Sequence, residues 1–281
     1  MRDIDSKKIT ETVARLCQEA NFYLGEDVLD SLKQVMDKEE APLGRQVLEQ
    51  ILENASIAAK EKIPLCQDTG ITVVYLWLGQ DAHIVGGDLY DAVQEGVRQG
   101  YRQGYLRNSI VTRPFSARVN TNDNTPAMIH AEIVSGDNLR IVVMPKGEGS
   151  ENTSRLTMLN PADGRQGVID FVVRTVEEAG SDPCPPVIVG LGIGGTTGRV
   201  MILAKMALLR KVGEPNPDPE VAELEREILE RVNRLGIGPQ GFGGSTTALA
   251  VHAAVIPCHM SALPVAVNMQ CHAARYKEAV L

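Results

Sequence analysis

The hydrophobic and polar positions of this chain follow a helical period first and then alternate between strand-like and helical runs. From Ser6 to about Lys62 the apolar residues recur at helical spacing, with Ile9, Val13 and Leu16, then Val28, Leu32 and Val35, then Val47, Ile51 and Ala55. That spacing predicts a helical N-terminal layer over residues 1–62. At Ile71 to Leu78 the run ITVVYLWL becomes apolar and rich in β-branched and aromatic residues, which predicts a strand. A helix is expected from Asp88 to Gly104. Ala127–Val134 and Leu139–Met144 read as a strand pair turning at Ser135, Gly136 and Asp137. Gly164–Ala179 has an amphipathic helical pattern, and Pro186–Val189 reads as a short buried strand. Arg199–Val212 and Val221–Leu235 read as two further helices, separated by the turn GEPNPDPE. A glycine-rich loop over Gly236–Ser245 precedes two expected strands, Thr247–Ile256 and Val265–Asn268. With no repeat and no evident linker, the expectation is a single α/β (mixed α+β) domain over residues 1–281. Its helical N-terminal layer packs on a mixed sheet in residues 63–281, and glycine-rich strand–helix loops converge on one site.

Composition narrows what that site can be. The chain has 281 residues, and 43% hydrophobic content supplies a substantial core. A net charge of −8 with only 4% aromatic residues argues against nucleic acid, which needs clustered Lys and Arg and stacking rings. The charged start MRDIDSKKITETV has no apolar stretch, and no apolar run approaches the roughly 18 residues needed to span a bilayer, so the protein is expected in the cytoplasm and off the membrane. Five cysteines at irregular spacings do not make a disulfide framework in a reducing compartment.

Three of those cysteines sit in loops at element ends. Cys66 lies in PLCQDTG after a helix, Cys184 in DPCPP between a helix and a strand, and Cys271 in NMQCH after a strand, the placement a polynuclear metal site needs for thiolates to converge. Cys17, on the helical stripe beside Leu16, reads as core. Cys258, in PCHM, also ends a strand beside a histidine and remains a possible ligand on these grounds. Lys146, Gly147, Gly149, Ser150, Glu151 and Asn152 form a polar, glycine-bearing loop suited to holding a carboxylate, against the plain reading of an ordinary turn. Arg107 could pair with a carboxylate or simply cap a helix. His83, His130 and His252 read as structural, whereas His259 and His272 neighbour cysteines. Gly190, Gly192 and Gly195 match the dinucleotide-binding pattern G-x-G-x-x-G, but no second strand ending in an acidic residue follows. Close helix packing explains those glycines better, and an NAD(P)-binding oxidoreductase stays a distant alternative.

Taken together, IPLCQDTG, YLRNSI, NTPAMIHAEIV, MPKGEGSENTS, DPCPPVIVGLGIGGT, PCHMSALPVAVN and MQCHAARY resemble the class I fumarase family, which includes two-subunit fumarate hydratases and L-tartrate dehydratases. The resemblance runs in order from Ile63 to Tyr276. It implies an oxygen-sensitive 4Fe-4S cluster held by Cys66, Cys184 and Cys271, with Cys258 outside the ligand set. It also implies that Gln67, Asp68, Arg107, the Lys146–Asn152 loop and His259 contact a small dicarboxylate, with Asp68 and His259 in catalytic roles. The chain then looks like the alpha subunit of an alpha2-beta2 enzyme whose base lies on a separate beta subunit. Fumarate hydratase, forming L-malate in the tricarboxylic acid cycle, is the first reading on these grounds, and L(+)-tartrate dehydratase the second.

Overall fold

The N-terminal stripes become α1 (Ser6–Phe22), α2 (Glu26–Lys38) and α3 (Pro42–Glu61) in the computed structural model, which describes residues 2–281. A short strand, β1 (Arg2–Asp5), precedes them. The middle of the chain carries β2 (Ile71–Gly79), β3 (Ala82–Val85), α4 (Leu89–Gln103), β4 (Val111–Thr112), β5 (Val119–Asn120), β6 (Met128–Val134) and β7 (Leu139–Lys146). Then come α5 (Glu148–Glu151), β8 (Arg155–Leu159), α6 (Gly164–Ala179), β9 (Val187–Gly195), α7 (Thr197–Ala207) and α8 (Pro219–Asn233). The chain ends with β10 (Ala248–Cys258), β11 (Leu263–Gln270) and β12 (Lys277–Val280). The architecture is mixed α/β, as expected. Among the described residues, no helix is long and apolar enough to cross a membrane.

Two compact units emerge. The first comprises the residues up to Leu24, Asn54–Glu148 and Arg275–Leu281, and the second Gly25–Glu53 and Gly149–Ala274. Thus α1 belongs to the first unit and α2 to the second, with the boundary inside α3.

The first unit is built on a sheet of order β12-β7-β2-β6. Alternate residues of β2, Val74 and Leu76, face α1 and α4 and meet Ile9, Val13, Leu16, Val93 and Val97. The two helices touch because α4 carries glycine at the crossing: a Cβ on Gly96 would lie 2.6 Å from the Cβ of Val13. The expected β6–β7 hairpin is not formed. β2 lies between them, parallel to β6 and antiparallel to β7. The turn after β6 instead straddles the end of β2, where Gly79 N–H donates to Asn138 O and Asp81 N–H to Gly136 O. A strand this apolar is most stable in the middle of a sheet, with both edges paired.

The second unit holds a sheet of order β10-β9-β11-β8, with β10 parallel and β11 antiparallel to β9. Val168, Val172 and Val176 of α6 and Leu224, Ile228 and Val232 of α8 cover one face, against Val187, Val189, Leu191, Val251, Val265 and Val267. On the other face α7 lies directly on glycine. A Cβ on Gly190 would stand 2.1 Å from Ala204 O, and one on Gly192 2.2 Å from Val200 O. The segment expected as a strand–helix loop is therefore strand as far as Gly195, and its glycine spacing serves helix packing.

Candidate functional site

In the first unit, the loop between α3 and β2 carries Cys66, Gln67 and Asp68, with Cys66 and Gln67 exposed and Asp68 half-buried. Its backbone is pinned at several points. Leu65 N–H donates to Asn21 O at 2.9 Å, and Asn54 Nδ2 donates to Leu65 O at 2.8 Å. The buried Tyr101 hydroxyl donates to Thr69 O at 2.8 Å. Burial pushes that phenol well above its usual range, so it remains a donor. Thr69 then brings in Arg107: its Oγ1 accepts from Arg107 N–H at 2.9 Å and donates to Arg107 O at 3.0 Å. The guanidinium itself is exposed.

Lys146 ends β7 and is fully buried, and the loop beyond it reaches Asp68. The carboxylate of Asp68 accepts from Gly70 N–H at 3.0 Å through Oδ1 and from Glu148 N–H at 2.8 Å through Oδ2. Gly70 sits at φ +78°, and a Cβ there would meet the backbone of Lys146 at 2.7 Å, so only glycine fits. Arg275, 2% exposed, closes the arrangement by donating from Nη1 to Asp68 O at 2.7 Å and to Asn21 Oδ1 at 3.1 Å. The first unit thus gathers Cys66, Gln67, Asp68, Arg107 and the start of the Lys146 loop.

The second unit gathers the remaining cysteine loops. Cys184 is exposed and adopts φ +55°, a left-handed backbone that a non-glycine residue keeps only when its surroundings hold it there. His272 N–H donates to Cys184 O at 3.3 Å, and the His272 ring Nδ1 lies 3.1 Å from the same carbonyl. The residue after Cys271 is therefore bonded to the backbone of Cys184, which brings the two cysteine loops together. The end of the glycine loop stands beside them, since a Cβ on Gly149 would lie 2.6 Å from Asp182 O. Glu151 is fully engaged: Oε1 accepts from Lys205 at 2.6 Å and Oε2 from the buried Asn268 at 2.9 Å. Ser150 is buried beneath the loop and Asn152 is exposed.

His259 is not brought to this cluster. β10 runs parallel to β9, so Cys258 pairs with Gly195 at one end of the sheet, whereas β11 runs back and leaves Cys271 beyond Ile188 at the other. Nine residues of β9 separate the two ends, roughly 26 Å at strand spacing. The exposed His259 ring accepts at Nδ1 from Ser261 N–H at 3.2 Å, which puts the proton of the neutral ring on Nε2. A cavity of about 400 Å³ in this unit, lined by Val168, Ile193, Val221 and Leu263, holds none of the candidate residues.

None of the five cysteines is in a disulfide, and Cys17 differs from the rest: it is fully buried, and burial raises its thiol to about 12. Among the described residues, no group of three or more His, Cys, Asp or Glu is placed to hold a metal ion as the chain stands. Sequence reasoning missed Arg275, Tyr101 and Thr69. Each stands among polar or small neighbours in the sequence, and nothing local reveals a partner distant along the chain.

Comparison with known proteins adds to this geometry. The family model described as fumarate hydratase (Fumerase) matches residues 10–280. The chain is 42% identical over 275 residues to a Methanocaldococcus jannaschii protein, covering 95% of each, whose provisional name is L(+)-tartrate dehydratase subunit alpha. It is 33% identical over 272 residues to the L(+)-tartrate dehydratase subunit alpha of Escherichia coli K12, covering 95% of this chain and 89% of that one.

Proposed function

The chain belongs to the fumarate hydratase (Fumerase) family, and from that footing we propose that it is the alpha subunit of a two-subunit hydro-lyase that removes water from L(+)-tartrate. The relatives' shared name supports tartrate over fumarate, reversing the order taken from sequence alone. We treat residues 1–281 as one functional domain, cytoplasmic because free thiols suit a reducing compartment.

The donor set suits a 4Fe-4S cluster. Cys66, Cys184 and Cys271 lie outside any disulfide, loop-borne and exposed or half-buried, unlike the core thiol Cys17. The observation that carries this reading is the bonding of the Cys271 loop to the Cys184 carbonyl through His272. When bound, an iron–sulfur centre with three cysteine ligands supplies a Lewis-acidic iron that can take a substrate hydroxyl and carboxylate.

The other roles fall to the chain's own side chains. Arg107 is free to form a bidentate pair with one substrate carboxylate, because Thr69 holds its backbone and leaves the guanidinium in solvent. Gln67 offers an uncharged amide to a hydroxyl. Asp68 takes the backbone amides of Gly70 and Glu148, which aim it as a substrate-orienting carboxylate. Gly147, Gly149, Ser150 and Asn152 present the loop to the second carboxylate. Lys146 adds positive charge from beneath that loop, while Glu151 holds it through Lys205 and Asn268. His259 lies at the far end of β9 from Cys184 and Cys271 and is given no role beside them. The base that takes the carbon-bound proton comes from the partner subunit in an alpha2-beta2 enzyme.

The test is anaerobic co-purification with the partner subunit, followed by iron and sulfide analysis and comparison of kcat/KM for L(+)-tartrate, fumarate and L-malate. Iron with faster oxaloacetate formation from tartrate is the expected result. Faster interconversion of fumarate and malate would return the fumarate reading, and an iron-free active enzyme would remove the cluster.

A further inference from the structure

Gln240 lies in the glycine-rich loop Gly236–Ser245, to which the proposed function gives no role. Its backbone is left-handed, at φ +52°. Its N–H and its Nε2 both donate to Pro185 O, at 2.7 and 2.8 Å, and the same Nε2 stands 3.0 Å from His272 Nδ1. Pro185 directly follows Cys184, and His272 directly follows Cys271. One amide therefore touches the chain immediately beyond each cysteine.

The loops need such a tie. β9 and β11 pair as far as Ile188 and Gln270, and Val187 adds one more pair, with Ala248 of β10, so the two cysteine loops leave the ladder just past Val187 and Gln270. Gln240 itself rests on a fixed base. Glu39, 5% exposed, accepts from Ser245 N–H at 3.0 Å, from Ser245 Oγ at 3.1 Å and from Thr246 N–H at 3.2 Å. Burial acts to raise the Glu39 carboxyl, but these hydrogen bonds outweigh it and hold the group below its usual range, so it stays an anion in a cradle of amides. Gly238, at φ +71°, packs backbone to backbone on Gly243, where a Cβ would come within 2.1 Å.

We propose that Gln240 is a positioning residue that clamps the Cys184 and Cys271 loops together, so that both thiols are presented to one metal centre. The role rests on the proposed reading of these cysteines as cluster ligands. An uncharged amide suits the task, since it donates to a carbonyl without adding charge beside the thiolates.

Two variants isolate the side chain. Gln240→Gly keeps the backbone donor and is at ease at positive φ, and Gln240→Glu keeps the size but loses the Nε2 donor. The unloaded chain is treated with a short bifunctional thiol reagent, and the Cys184–Cys271 cross-link is quantified by peptide mapping. Iron per chain is then measured after anaerobic reconstitution with the partner subunit. Both variants are expected to keep a cooperative melt and wild-type labelling of Cys258. Their cross-link yield is expected to fall roughly fivefold, the equivalent of about 1 kcal/mol for one neutral hydrogen bond, with a matching loss of iron. Wild-type cross-linking and iron content in both folded variants would overturn the clamp. A wild-type chain that cross-links yet binds no iron would instead overturn the ligand reading, and with it the positioning role.

Discussion

At the scale of single residues, burial separates groups that look alike in the sequence. Cys17 and Cys271 each stand beside a glutamine in the sequence, but only Cys17 is sealed in the core. Cys17→Ala is expected to cost about 1 kcal/mol in urea unfolding and leave iron content intact, whereas Cys271→Ala keeps stability and loses iron and activity. Buried Arg275 bridges two acceptors, Asp68 O and Asn21 Oδ1. Arg275→Met should therefore destabilise the chain by about 2–3 kcal/mol, and a change under ~0.5 kcal/mol in the same measurement would discount the anchor. His252 is buried near Arg210, and first burial and then that positive charge lower its pKa from 6.5 to about 4. Because the folded value is depressed, the neutral ring is favoured in the folded state: stability is full above pH 6.5 and is lost as pH falls from 6.5 towards 4. The full loss is about 3 kcal/mol. Chemical denaturation of wild type and His252→Gln at pH 7 and pH 5 tests this, with the variant expected to show the flatter dependence.

At the scale of elements, glycine decides how closely helices approach. Gly192 faces the α7 backbone with no room for a methyl group, so Gly192→Ala is expected to cost about 3 kcal/mol through overpacking. Gly198, at the start of the same helix, has open space around its Cβ position, and Gly198→Ala should stabilise by about 0.5–1 kcal/mol. Thermal melts that ranked the two alike would contradict the packing of α7 on β9. Periodicity located these elements well: the helices expected at Gly164–Ala179 and Asp88–Gly104 appear as α6 and α4 almost residue for residue. It located pairing poorly. Adjacency in sequence suggested that β6 and β7 pair, but β2, placed earlier in the chain, takes an edge of each. The apolar run of β2 announces burial without naming neighbours.

At the scale of the whole molecule, the chain covers 95% of a relative named as an alpha subunit, and the proposed enzyme needs a second chain for its base. Purified alone, the chain should show no dehydratase activity even when loaded with iron, and addition of the partner should restore it. Substantial activity from the isolated chain would show that it supplies its own base. Local information in the sequence determined the elements, the loop-borne cysteines, the polar loops and the family, because each depends on residues close together in the chain. Tertiary structure alone decided which of these meet. Cys258-His259 and Cys271-His272 are equivalent as written, yet each ends a strand, and those strands run in opposite directions. The two pairs therefore finish at opposite ends of one sheet. Strand direction depends on pairings between distant segments, so Cys184 gained His272 and Gln240 as neighbours while His259 was carried away.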